Sequence, residues 1–183
     1  MIEMIESKVT TRSTSLKLSL SLIAGIVFLA SSAAAEKLPR ESVLPLSLAT
    51  KAAQAAVDKC LADGYQVSAA VVDRGGNVRT LLRQDGAGPH TVDSSRKKAY
   101  TSNSLKRPTA ELGALIAKMP AVQGLQHMNE DILLLGGGLP IKLAGEVLGG
   151  IGVGGAPGGH LDEACAEAGL ISIGAASKPP EKK

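Results

Sequence analysis

Gly136-Gly137-Gly138-Leu139-Pro140-Ile141 and Gly149-Gly150-Ile151-Gly152-Val153-Gly154-Gly155-Ala156-Pro157-Gly158-Gly159 are two glycine clusters joined by Lys142 to Leu148. Apolar residues flank a small turn at Gly145-Glu146, where glycine supplies a positive φ, so the segment reads as a tight hairpin. Glycines alternating with Ile151 and Val153 mark a strand that another backbone or a flat ligand approaches closely. His160-Leu161-Asp162-Glu163 then opens an apolar-periodic helix, and glycine-loop amides feeding a helix start favour an anion. The plainer alternative is that these glycines only turn a compact sheet. They are not set in a βαβ unit and no Gly-Lys-Ser/Thr occurs, so neither standard nucleotide site is expected.

Upstream, Ala49, Ala52, Ala53, Ala56, Val57, Cys60 and Leu61 recur at helical spacing until Gly64. Gln66–Val72 and Asn77–Arg83 read as strands joined by the turn Asp73-Arg74-Gly75-Gly76-Asn77. A helix is expected from Thr91 to about Leu105, basic at Arg96-Lys97-Lys98 and lined inside by Ser and Thr hydroxyls. Another runs from Pro108 to Lys118, stopped by Met119-Pro120. Residues 120–131 read as irregular, Ile132–Leu135 as a short buried strand, and 160–175 as the last helix. The order α, β-β, α, α, β-β-β, α gives an α+β domain around a central antiparallel sheet of five strands.

At the N-terminus, Lys8, Arg12 and Lys17 precede the apolar run Leu18–Ala30, and Ala33-Ala34-Ala35 offers a small-residue cleavage site. That is a secretory signal peptide over residues 1–35, cut before Glu36. The run is too short for a comfortable membrane span, which takes about 20 apolar residues. An extended segment over 36–45, a domain over 46–176 and a disordered tail over 177–183 complete the expected organisation. The mature chain keeps 17 of 20 Lys+Arg and 15 of 17 Asp+Glu, a net charge of +2. With only Tyr65 and Tyr100 as aromatics, nucleic acid is an unsuitable partner. Cys60 and Cys165 are the only cysteines. In an exported chain they form either one disulfide or two buried thiols.

The glycine segments, together with Ala70-Val71-Val72-Asp73-Arg74-Gly75-Gly76-Asn77, Asp85-Gly86-Ala87-Gly88-Pro89-His90-Thr91 and Ser95-Arg96-Lys97-Lys98-Ala99-Tyr100-Thr101, resemble the GlcG/HbpS heme-binding protein family. That family includes the C-terminal domain of some corrinoid adenosyltransferases, and the likeness spans roughly Ala49 to Ala176. It implies a profilin-like five-stranded sheet, heme or a related tetrapyrrole as ligand, and a homo-oligomer. The candidate metal ligands, at a subunit interface, are His90 first and His127 second, the latter beside Met128. Arg96, Lys97 and Lys98 are candidate partners for heme propionates, and Gly137, Gly138 and Gly155 would allow close backbone approach. His160, at a helix start, is expected to be structural or solvated. The first expectation is an exported, non-catalytic heme carrier, buffer or sensor in the periplasm or outside the cell. An enzyme acting on a small organic acid through Asp73 or Glu146 with Lys98 is the alternative, and a structural accessory protein is the third. No Cys-x-x-Cys-His, His-Glu-x-x-His or Gly-x-Ser-x-Gly occurs.

Overall fold

The structure, a computed structural model, describes residues 38–175. The expected leader and tail lie outside them. All the regular elements belong to the compact unit that begins at Glu41. Pro45, extended at φ −63°, ψ 144°, launches α1 (Leu46–Ala62). Its alanine stripe is buried as the spacing predicts, except that Leu61 is 60 % exposed. Strands β1 (Ser68–Asp73) and β2 (Val78–Arg83) form the first hairpin. Its turn is closed by the Asp73 carboxylate, which accepts from the Asn77 amide at 2.9 Å. Helices α2 (His90–Leu105) and α3 (Thr109–Lys118) follow, then a 3-10 helix over Pro120–His127. Strands β3 (Gly138–Leu143) and β4 (Glu146–Gly154) make the second hairpin, and α4 (Gly159–Ser172) ends the fold. Ala144 and Gly145, at φ 50° and 82°, carry the hairpin turn one residue earlier than expected.

The sheet has four strands, in the order β2-β1-β4-β3, all antiparallel. The expected fifth strand, Ile132–Leu135, is not one. Its backbone turns elsewhere instead: the Leu133 amide donates to Thr101 Oγ1 of α2 at 2.8 Å, and the Ile132 amide to the Asn129 carbonyl at 3.2 Å. Helices cover both faces of the sheet. On one, Ala69, Val71, Ile151 and Val153 pack with the alanines of α1 and with Cys165, Ala166 and Leu170 of α4. On the other, Ala70 and Val72 meet Ala99 of α2. Cys60 and Cys165 are bonded, tying α1 to α4 with 5.5 Å between their Cα atoms.

The strand glycines admit α2 itself. A Cβ on Gly152 would stand 2.1 Å from the Ser95 carbonyl oxygen and 2.5 Å from the Ala99 amide nitrogen; on Gly150, 2.2 Å from the Ala99 carbonyl oxygen. Of the two expected alternatives, another backbone or a flat ligand, the one that comes close here is the backbone of the chain's own helix. Gly152→Ala should therefore lift α2 and cost on the order of 3 kcal/mol, seen as a lower urea midpoint. Gly124→Ala, where nothing lies within 4 Å of the added carbon, is the control and should change little. A wild-type midpoint for Gly152→Ala would refute the close-packing account.

Candidate functional site

The carboxyl end of α3, the 3-10 helix and the segment 131–135 enclose a groove of about 610 Å³. Gly113, Ile116 and Ala117 face it from α3, as spacing of three and four along a helix requires. Met119, extended at φ −126°, ψ 92° ahead of Pro120, ends that helix. The 3-10 helix then supplies Gln123 and Gln126, which three residues per turn place on one side, and His127. Ile132 to Leu135 form the apolar wall opposite. α2 holds that wall: besides the Thr101 contact, Arg96 donates to Asp131 Oδ1 at 2.8 Å. α3 sits close against it, since a Cβ on Gly113 would lie 2.6 Å from the Leu134 carbonyl oxygen.

The expected site residues are dispersed. His127 is exposed on the lip of the groove. His90 is exposed at the first position of α2, its ring folded over Gly88, and is not among the groove's lining residues. His160, at the start of α4, is exposed with its ring over Gly158. Arg96 bridges Asp93 at 3.0 Å and Asp131, and the Asp131 hydrogen bond leads the causes that raise its pKa.

Lys98 lies inside the fold. It is 4 % exposed, and its ammonium donates to Asp162 Oδ2 at 2.7 Å and to the Val153 carbonyl at 2.9 Å. It is an internal cation, turned away from any ligand in solvent. The three glycines are closely packed as well. A Cβ on Gly138 would fall 2.4 Å from the Lys98 carbonyl oxygen, on Gly137 2.6 Å from Asp162 Cβ, and on Gly155 2.6 Å from the Gln66 carbonyl oxygen. Their close neighbours are protein.

Each residue of the organic-acid alternative is engaged by a neighbour. Asp73 closes a turn, Glu146 pairs with Arg74 at 2.7 Å, and Lys98 is held by Asp162. Among the described residues no group of three or more His, Cys, Asp or Glu could hold a metal ion. The groove is what sequence reasoning missed. Its one sequence signal is an irregular segment carrying His127 between two apolar stretches.

These features define a small α+β domain with helices on both faces of an antiparallel sheet and an open groove beside its third helix. Residues 44–171 match the family described as HbpS-like, Haem degrading protein HbpS-like. The chain belongs to that family. It is similar to a double mutant of Streptomyces reticuli HbpS, at 37 % identity and a TM-score of 0.71, covering 92 % of this chain and 98 % of that one. An uncharacterised 15.0 kDa protein from the dhaT-dhaS intergenic region of Citrobacter freundii is 38 % identical over 62 % of this chain and 81 % of its own. The corrinoid adenosyltransferase PduO of Citrobacter freundii is 31 % identical over 46 % of this chain, but only 26 % of PduO is covered. PduOC, solved as a heme complex, shares the fold at 23 % identity, with a TM-score of 0.68 over 75 % of this chain and all of that one.

Proposed function

We propose that this chain is an exported heme-binding protein, a carrier, buffer or sensor, which seats the ring in the groove beside α3. The observation that carries the reading is the groove itself: apolar walls, an imidazole on the lip and a volume of about 610 Å³. That volume is within the roughly 300–1,000 Å³ of small-molecule sites. Membership of a family described by heme chemistry supports it, as does the occurrence of the same fold in a heme complex. Ile116 and Leu133 would pack on the ring, and His127 would offer a ring nitrogen to the iron. Bound heme would supply a redox-active iron, and the chain would supply the imidazole and an apolar wall. His90 is the second candidate ligand. Export rests on the leader over residues 1–35, with an oxidising compartment consistent with the Cys60–Cys165 bond. No helix among the described residues is long and apolar enough to cross a membrane.

Hemin titration of residues 36–183 tests this. Wild type should shift the Soret band, His127→Ala should weaken binding by roughly tenfold or more, and His90→Ala should leave it unchanged. Absence of a shift in wild type removes the heme reading. Loss in His90→Ala alone reassigns the ligand. The family description also favours a second reading, in which bound heme is consumed. Under air with a reductant, a stable Soret band keeps the carrier reading, and bleaching to an open-chain tetrapyrrole replaces it.

A further inference from the structure

The groove is built without fixed charge. Apart from the imidazole of His127, its lining is glycine, alanine, isoleucine, leucine and two glutamines. The cations expected to receive propionates are engaged elsewhere. Lys98 is buried against Asp162, and Lys97 pairs with Asp93 at 3.1 Å. Arg96, beside the wall, lies between Asp93 and Asp131, so these two cations and two carboxylates sum to no net charge. Gln123 and Gln126 are exposed, where a contact to a carboxylate merely replaces one to water. A carboxylate pushed among Ile116, Leu133 and Leu134 would lose its hydration and gain no ionic partner.

Resting on the heme reading above, we infer that the groove takes a tetrapyrrole by its uncharged edge and leaves the propionates in water. Recognition is then by ring shape and apolar surface, and is blind to propionate charge. The ligand class follows. Macrocycles with one apolar edge fit, whether the far carboxylates are free or esterified. Uroporphyrins, which carry carboxylates on every pyrrole, have no edge that can enter.

The test compares hemin, hemin dimethyl ester in dilute non-ionic detergent, and iron uroporphyrin, each titrated under the same conditions into the chain from Glu36 and read by Soret shift or tyrosine quenching. Hemin and its ester should bind within about fivefold of each other, because a lost charged contact would show as roughly tenfold or more. Uroporphyrin should be weaker by more than about tenfold. Lys118→Gln, which neutralises the lysine after Ala117 on α3, should leave hemin affinity unchanged. Ala117→Trp, at an exposed position that fills the groove, should abolish binding of hemin and ester alike. An ester more than about fivefold weaker than hemin, uroporphyrin binding as well as hemin, or loss of affinity in Lys118→Gln would each overturn the inference. So would hemin binding that survives Ala117→Trp, which leaves heme binding intact but elsewhere. If hemin itself does not bind, the heme reading fails first and takes this inference with it.

Discussion

Cys60→Ala/Cys165→Ala is expected to lower the stability of the domain by about 4–5 kcal/mol, most of what many single domains possess. The bond closes a loop with a sequence separation of 105 between the last turns of α1 and the middle of α4. In the chain-entropy account such a loop removes about 4.7 kcal/mol of freedom from the unfolded chain. Both sulfurs are fully buried, so reductant should act on the native protein only after it opens. Wild type should therefore keep its urea midpoint through a short exposure to dithiothreitol. Once reduced in urea and refolded, it should approach the double variant. The denaturant slope should rise as well, because a chain freed of its cross-link exposes more surface. A variant with the wild-type midpoint and slope would show that the bond contributes little. The two helices would then be held by their alanine contacts alone, including the close approach of Gly169 to the Ala52 carbonyl.

Much of this architecture is legible in the chain, for reasons that differ by element. The alanine stripe of α1 and the two hairpins follow from periodicity and turn chemistry, both local properties. The sheet loses its expected fifth strand because Ile132–Leu135 is apolar enough for one, while its hydrogen-bond partner, Thr101, lies far away in sequence. Glycine spacing along β4 announces that something comes close but not what. The matching clue is on α2, where Ser95, Ala99 and Ser102 form a small-residue face able to bring a helix backbone onto the sheet. The burial of Lys98 is similarly legible in its position. It stands seven residues after Thr91 and three after Ser95, on the hydroxyl-lined buried face, whereas Arg96 and Lys97 point elsewhere. The groove depends on how three separate segments pack, and no local pattern encodes its volume.

Lys98→Met should cost about 3–5 kcal/mol at pH 7, because it leaves the Asp162 carboxylate buried without its cation. The two side chains are 5 % and 4 % exposed and join α2 to the first turn of α4 across the end of β4. Asp162 Oδ1 also accepts from the Ala156 amide at 3.0 Å. Even in the intact pair, burial holds the Asp162 carboxyl above its ordinary value of 3.8, ahead of Lys98 and the Ala156 and Gly155 amides, which lower it. Between 3.8 and that raised value the native state keeps a proton the unfolded chain has lost. This group's contribution is thus full below the unfolded value and declines as pH rises through the folded one. Taking away the ammonium raises the carboxyl further, so the deficit of Lys98→Met should shrink as pH is lowered from 7 toward 5. Lys98→Met/Asp162→Leu removes both charges and should recover most of the loss. Urea midpoints of all three proteins at the two pH values decide it. A deficit that stays constant with pH, or a double variant as weak as the single, would mean that Lys98 matters through its hydrogen bond to the Val153 carbonyl and not through its ion pair.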